Sequence, residues 1–148
     1  MSSDPHPSPH YYTVELRFFG DDLDPDAITS ELALPPSVMN SLRAPLPGRV
    51  RRPLWGYNGH DDPAFQPEWS SLEEGLTFLL RRLSAIRPKI VGLAGRYEGL
   101  WWCGHFQTSF DGGPTFSPQL LRLLSAFECS LFLDNYHVND EEEPLATA

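Results

Sequence analysis

The sequence has no hydrophobic run long enough to cross a membrane. A transmembrane helix needs roughly 18 or more consecutive apolar residues, and no segment of the 148-residue chain approaches that length. The first ten residues, Met-Ser-Ser-Asp-Pro-His-Pro-Ser-Pro-His, contain neither the basic block nor the apolar block of a signal peptide. We therefore expect a cytoplasmic protein that does not engage a membrane.

Cysteine is also scarce. The two cysteines, Cys103 and Cys129, lie in strand-like runs and form no Cys-x-x-Cys motif, which is the spacing typical of redox and zinc sites. In a reducing compartment we expect buried free thiols that behave as small apolar side chains. A disulfide between neighbouring strands stays open as an alternative, but it would not by itself imply a redox function.

Basic residues are few and dispersed. The chain carries a net charge of -9, and residues 11 to 137 hold all 11 basic residues against 15 of the 20 acidic ones, which leaves a net charge of -4 for that part. Phosphate neutralisation requires clustered Lys and Arg. The one dense cluster, in a proline-rich loop, consists of Arg43, Arg49, Arg51 and Arg52. The composition therefore argues against a nucleic-acid partner.

What the sequence does contain is an alternation of strand-like and helical patterns. Strands are predicted from Tyr11 to Phe19, from Leu54 to Tyr57, from Leu100 to Phe110 and from Cys129 to Tyr136. Helices follow the capping signals Asp24-Pro25, Ser71 with Glu74, and Ser117-Pro118. A turn of helix is predicted near Val38 and another from Ile90 to Ala94.

These elements predict one domain at residues 11–137, between a disordered polar tail at 1–10 and a disordered acidic tail at 138–148. Both long strands alternate between apolar and polar residues, whereas the strands of a doubly wound sheet are apolar on both faces. The sequence therefore predicts an α+β fold. It is a two-layer sandwich in which about four strands form a mixed or antiparallel sheet and the helices pack on one face.

The polar positions of the first strand indicate the candidate site. Tyr11, Glu15 and Arg17 share one side of that strand, which we expect to be free of helices. Trp101 and Trp102 are adjacent, so their side chains point to opposite faces of the sheet. We place Trp101 and His105 on the open face beside the first three residues. An exposed tryptophan there resembles the anchor of a protein interface; its burial under the C-terminal segment or the arginine-rich loop is the alternative.

No catalytic or metal-binding motif accompanies these residues. The five histidines do not show metal-ligand spacing on a predicted helix. The acidic run formed by Asp21, Asp22, Asp24 and Asp26 lacks the glycine and distal glutamate of a calcium loop. We expect no cofactor, no metal and no enzymatic activity. A small-ligand or hydrolytic site in a pocket beside His105 is kept as the alternative function.

The stretch from Gly20 to Pro36 reads GDDLDPDAITSELALPP. Together with Trp55, the leucine-rich second helix, the strand at 100–106, the FSPQLL run at 116–121 and the last strand, it resembles the bacterial family called domain of unknown function 4279. The resemblance implies a small bacterial α+β domain and brings no catalytic residues with it. Small stand-alone bacterial proteins of this kind are similar in size and style to immunity proteins that neutralise secreted toxins, which is an analogy of class. We therefore expect a protein-binding module with a protein partner, such as a toxin. The sequence leaves open whether the chain is a monomer or a homodimer formed through a sheet edge.

Overall fold

The computed structural model describes residues 9–41, 45–46, 49–50 and 52–138. The elements in chain order are β1 (His10–Phe19), α1 (Pro25–Leu32), β2 (Val38–Asn40), β3 (Pro45–Leu46), β4 (Arg49–Val50), β5 (Leu54–Tyr57), α2 (Leu72–Leu83), a 3-10 turn (Ser84–Ile86), α3 (Arg87–Ala94), β6 (Glu98–Gln107), α4 (Pro118–Ser125) and β7 (Ser130–His137). Most of both predicted tails lies outside the described residues.

The main sheet has five strands in the order β2-β5-β1-β6-β7, and β3 pairs with β4 in a separate two-stranded sheet. β1 is central and runs antiparallel to β5 and β6, whereas β7 runs parallel to β6. The sheet is therefore mixed and has one strand more than the predicted number. The additional strand is β2, where Val38 pairs with Gly56. The turn of helix predicted near Val38 is wrong because this segment forms the edge of the sheet.

The alternation in β1 separates a buried side from a polar side. Tyr12, Val14, Leu16 and Phe18 are at most 4% exposed and belong to the hydrophobic core. We call their side of the sheet the covered face. The alternate residues Tyr11, Thr13, Glu15 and Arg17 occupy the opposite side, which we call the open face. A half-buried strand of this kind is the pattern that the sequence predicts.

The helices begin where the capping residues predict. The side chain of Asp24 accepts from the amide of Asp26 at the start of α1, and that of Ser71 accepts from the amide of Glu74 at the start of α2. Seven of the 12 residues of α2 are buried against the sheet. A Cβ atom at Gly75 would lie 3.0–3.1 Å from the side chains of Trp69 and Val14, so glycine lets α2 approach β1 closely.

The core lies between the helices and the covered face. It includes Trp55 and Tyr57 from β5 and Trp101 and Cys103 from β6, all 0% exposed. No residue of the open face belongs to it among the described residues. The predicted α+β sandwich, with helices packed on one face of an open sheet, is confirmed. No helix in the described part of the chain is both long and apolar enough to cross a membrane.

Candidate functional site

The open face is built from alternate residues of neighbouring strands. Tyr11 lies opposite Phe106 and Glu15 opposite Trp102, while Trp102 is in register with Phe132 of β7. Residues in register share a face of the sheet and contact one another. Among the described side chains on this face are Tyr11, Glu15, Arg17, Trp102, Phe106, Phe132, Asp134 and Tyr136. The face therefore combines one fixed ion pair with several aromatic rings.

A buried carboxylate holds the ion pair. Glu15 is 7% exposed. Its Oε1 accepts from Nε of Arg17 at 2.5 Å, and its Oε2 accepts from the hydroxyl of Ser37. A Cβ at Gly56 would lie 3.2 Å from the Glu15 carboxyl carbon and 2.7 Å from the Val38 side chain, so the absence of a side chain there makes room for the carboxylate. The orientation of Arg17 is thus set by a hydrogen-bonded partner beneath it.

The guanidinium of Arg17 lies on the ring of Trp102. Its Cζ is 4.1 Å from the ring centroid, within the range of a cation–π interaction. Both residues are partly exposed. Arg17 therefore presents a charged, planar group at a fixed position on an otherwise aromatic surface. Arginine and tryptophan in this arrangement are the residue types that contribute most to protein interfaces.

Three further rings form a row across the strands. The ring of Phe106 stacks on Tyr11 at 5.0 Å and on Tyr136 at 4.9 Å, each with an interplanar angle of 11°. Because each ring faces its neighbour, the row presents mainly ring edges to solvent. It forms an apolar ridge instead of a flat surface on which a nucleobase could stack.

The hydroxyl of Tyr136 donates to the carboxylate of Asp134 at one end of this ridge. That hydrogen bond raises the pKa of Tyr136. Phe132 and Tyr136 are 45% and 40% exposed, so the outer part of the open face is apolar and accessible to solvent.

Two of the five residues predicted for this face lie on the other side of the sheet. Trp101 pairs with Leu16 and is 0% exposed, and His105 pairs with Tyr12 and is 4% exposed. The prediction that they stand beside Glu15 and Arg17 is wrong. Tyr11, Glu15 and Arg17 are placed on the open face as predicted, and Trp102 occupies the position that was assigned to Trp101.

His105 belongs to a buried chain of hydrogen bonds. Its Nε2 is 2.9 Å from Nδ1 of His10, and its Nδ1 is 2.8 Å from Oδ1 of Asn135. Nε2 of His10 donates to the carbonyl oxygen of Asp111 at 2.6 Å. The ring of Tyr12 stacks on His105 at 4.8 Å. With both ring nitrogens hydrogen-bonded, His105 links the ends of three strands.

The misplacement comes from the register between β1 and β6. The even residues of β6, which include Leu100, Trp102 and Phe106, are more apolar than the odd ones, yet they occupy the open face. Periodicity shows that the two sets are opposite and leaves open which set meets the helices. An apolar set lying opposite Glu15 and Arg17 is the signal that indicates an interaction surface.

The comparisons with known proteins identify the family. The family model described as Domain of unknown function (DUF4279) matches residues 10–138. The chain belongs to the DUF4279 family. No curated protein and no solved structure matches the chain. Membership of DUF4279 confirms the resemblance seen in the sequence and assigns no function to any residue.

Neither cysteine supplies a reactive thiol to the open face of this DUF4279 chain. Cys103 and Cys129 are both free. Burial raises the pKa of each thiol to about 12, with the charge of Glu128 contributing at Cys129. The thiols are therefore protonated at neutral pH and are poor nucleophiles. The predicted free thiols are confirmed.

The acidic and basic clusters noted in the sequence have local roles where they are described. Asp24 caps α1, and Arg52 pairs with Glu98 at 3.0 Å and with Asp21 at 3.8 Å. The side chains of Arg43, Arg49 and Arg51 lie outside the described residues. No group of three or more His, Cys, Asp or Glu residues is arranged for a metal ion within the described ranges.

One groove lies away from the open face. Its volume is about 530 Å³, and it runs between the start of α2 and the segment that precedes α4. The amide and hydroxyl of Ser117 both donate to the carboxylate of Glu73 at 3.0 Å, which joins the two helix starts. The carboxylate of Glu73 and the amide and hydroxyl of Ser117 therefore satisfy each other and connect the starts of α2 and α4.

Proposed function

We propose that this DUF4279 chain is a protein-binding module without enzymatic activity that engages its partner through the open face of the sheet. The observation that carries the proposal is the guanidinium of Arg17, held on Trp102 by the buried carboxylate of Glu15. Fixing a charged side chain before binding lowers the entropy lost on association. The aromatic ridge beside it supplies apolar area for the same contact.

Within this class, the proposed role is that of an immunity-type inhibitor in the cytoplasm of a bacterium, with a toxin as the partner. The chain carries a net charge of -9, and an acidic protein associates faster with a basic partner. Two cysteines kept as free thiols suit a reducing compartment. The family resemblance motivates the bacterial assignment.

The proposal is tested by quantitative affinity capture from the organism that encodes the chain, followed by binding measurements with each purified candidate. Trp102→Ala and Arg17→Glu alter the open face, and Arg87→Glu makes the same charge change at an exposed position of α3. Removal of a central interface anchor costs about 2 kcal/mol or more, which is roughly a thirtyfold loss of affinity. A partner that loses this affinity with both open-face variants and keeps it with Arg87→Glu supports the proposal.

Equal binding by all three variants would show that the partner uses another surface. The inhibitor role has its own test, in which the captured protein is expressed alone and together with the chain. Toxin neutralisation is supported if the partner alone arrests growth, the wild-type chain relieves the arrest, and Trp102→Ala does not. A partner that is harmless when expressed alone would exclude that role and leave the binding surface intact.

A further inference from the structure

β7 forms one edge of the main sheet and pairs only with β6 within the described residues. The amide of Val138, just after β7, donates to the carbonyl of Gln107 in β6 at 2.7 Å. Backbone groups of successive residues point to alternate sides of a strand. The even-numbered residues of β7 therefore direct their amides towards β6, and those of Leu131, Leu133, Asn135 and His137 point away from the sheet.

The β7 strand itself, within the described residues, carries few of the features that protect an edge against strand pairing. Natural edges are shortened, bent, or marked by proline, lysine or inward-pointing charges. β7 is eight residues long, reads SLFLDNYH, and contains one charged residue, Asp134, and no proline or lysine. The opposite edge, β2, is only three residues long. The two edges of the sheet therefore differ in how readily each accepts another strand.

Most of the exposed large apolar side chains lie in the part of the chain that includes β7, and three of them are on or against β7 itself. Of the six large hydrophobic residues that are exposed in the described chain, five lie between residues 110 and 136: Phe110, Leu121, Leu123, Phe132 and Tyr136. Phe110, at 80% exposure, stacks on His137 at the end of β7, with ring centroids 4.4 Å apart. Leu121 and Leu123 lie on α4, which leads into β7. Phe110, Phe132 and Tyr136 therefore place exposed apolar groups along β7, as is typical of an interaction site.

We propose that a second copy of this chain pairs with β7, so that two antiparallel β7 strands join the two sheets about a two-fold axis. The outward-pointing backbone groups of β7, which pair with no other described residue, are satisfied by another strand, and antiparallel pairing of β7 with its own copy is self-complementary. A two-fold axis through Phe132 or Leu133 keeps the two Asp134 carboxylates from lying opposite each other. Two chains that each carry a charge of -9 repel least when they meet along an edge with a single charge.

Analytical ultracentrifugation of the full chain, from micromolar to near-millimolar concentrations, is the first test. We expect a concentration-dependent dimer with twice the 16.7 kDa chain mass. Phe132→Lys places a charge at the proposed contact and shifts the equilibrium to the monomer. Tyr11→Lys makes a comparable change on β1, at the centre of the sheet, and leaves the dimer intact. Far-UV circular dichroism checks that both variants fold. Tyr136→Lys is a second variant of β7 and should also shift the equilibrium to the monomer.

Amide hydrogen exchange identifies the strand that pairs. We expect the amides of Leu131, Leu133 and Asn135 to become protected as the concentration rises, whereas those of residues 132, 134 and 136 are protected at every concentration. A chain that stays monomeric throughout overturns the proposal. So does a dimer whose odd-numbered amides exchange freely. Protection of those amides in a chain that sediments as a monomer would mean that another segment of the same chain covers the edge, and it also overturns the proposal.

Discussion

The adjacent tryptophans of β6 are expected to differ sharply in what their removal costs. Trp101 is 0% exposed, its ring packs edge-on against Phe127 at 5.4 Å, and its Nε1 donates to the carbonyl of Leu124 at 3.4 Å. Trp101→Ala leaves a cavity in the core, and truncations of this kind cost about 3–5 kcal/mol. Trp102→Ala removes the cation–π contact with Arg17, which is worth about 0.5–1 kcal/mol. It also removes the burial of part of the Trp102 ring, which is worth about 1 kcal/mol.

Urea unfolding followed by far-UV circular dichroism measures this difference without relying on tryptophan fluorescence. For a slope of about 2 kcal/mol per molar urea, a gap of about 2 kcal/mol separates the two midpoints by about 1 M. The slope itself should be unchanged in Trp102→Ala, because the same surface is exposed on unfolding. Equal destabilisation by the two variants, or a larger effect of Trp102→Ala, would refute the assignment of the two faces.

Three further predictions follow from the buried polar groups and thiols. Glu15→Gln weakens a charge-assisted hydrogen-bond pair and should lower the free energy of unfolding by about 1–3 kcal/mol in urea titrations; no change would mean that the carboxylate is solvated. His105→Leu breaks the buried hydrogen-bond chain and should lower the melting temperature by several degrees, while His60→Ala, in an exposed turn, changes stability by less than about 0.5 kcal/mol. Burial raises the pKa of the Cys103 thiol to about 12. The free energy of unfolding that this thiol contributes by staying protonated is therefore fully present below the ordinary thiol pKa, and it is lost as the pH rises towards 12. Cys103→Ala should therefore flatten the fall in stability above about pH 9, and an unchanged alkaline profile would contradict the burial of this thiol.

The elements of the fold could be predicted because their signals are local. Asp24, Ser71 and Ser117 each cap the helix that they were expected to start, through side-chain hydrogen bonds to the following amides. The alternation of β1 correctly separated Leu16 from Arg17. β2 was missed because a strand of three residues shows no periodicity, and its state is decided by pairing with β5.

The candidate site could be predicted only in part. β1 identified the open face, because its polar alternate residues are visible in the sequence. The sequence of β6 did not identify this face, because which of Trp101 and Trp102 faces the core depends on which residue of β1 lies opposite each. Register is a long-range property, and a shift of one residue reverses every side chain. The hydrogen bond between the buried side chains of His10 and His105 likewise joins residues 95 positions apart in the chain.

Hydroxyl-radical footprinting with tandem mass spectrometry tests the central claim most directly, because fragment ions distinguish the two adjacent tryptophans. The one-sided sheet predicts that Trp102, Phe132 and Tyr136 are oxidised in the native chain, whereas Trp101 is protected until the protein unfolds. Rapid oxidation of Trp101 together with protection of Trp102 would contradict it, because the face assigned to the partner would then be the core.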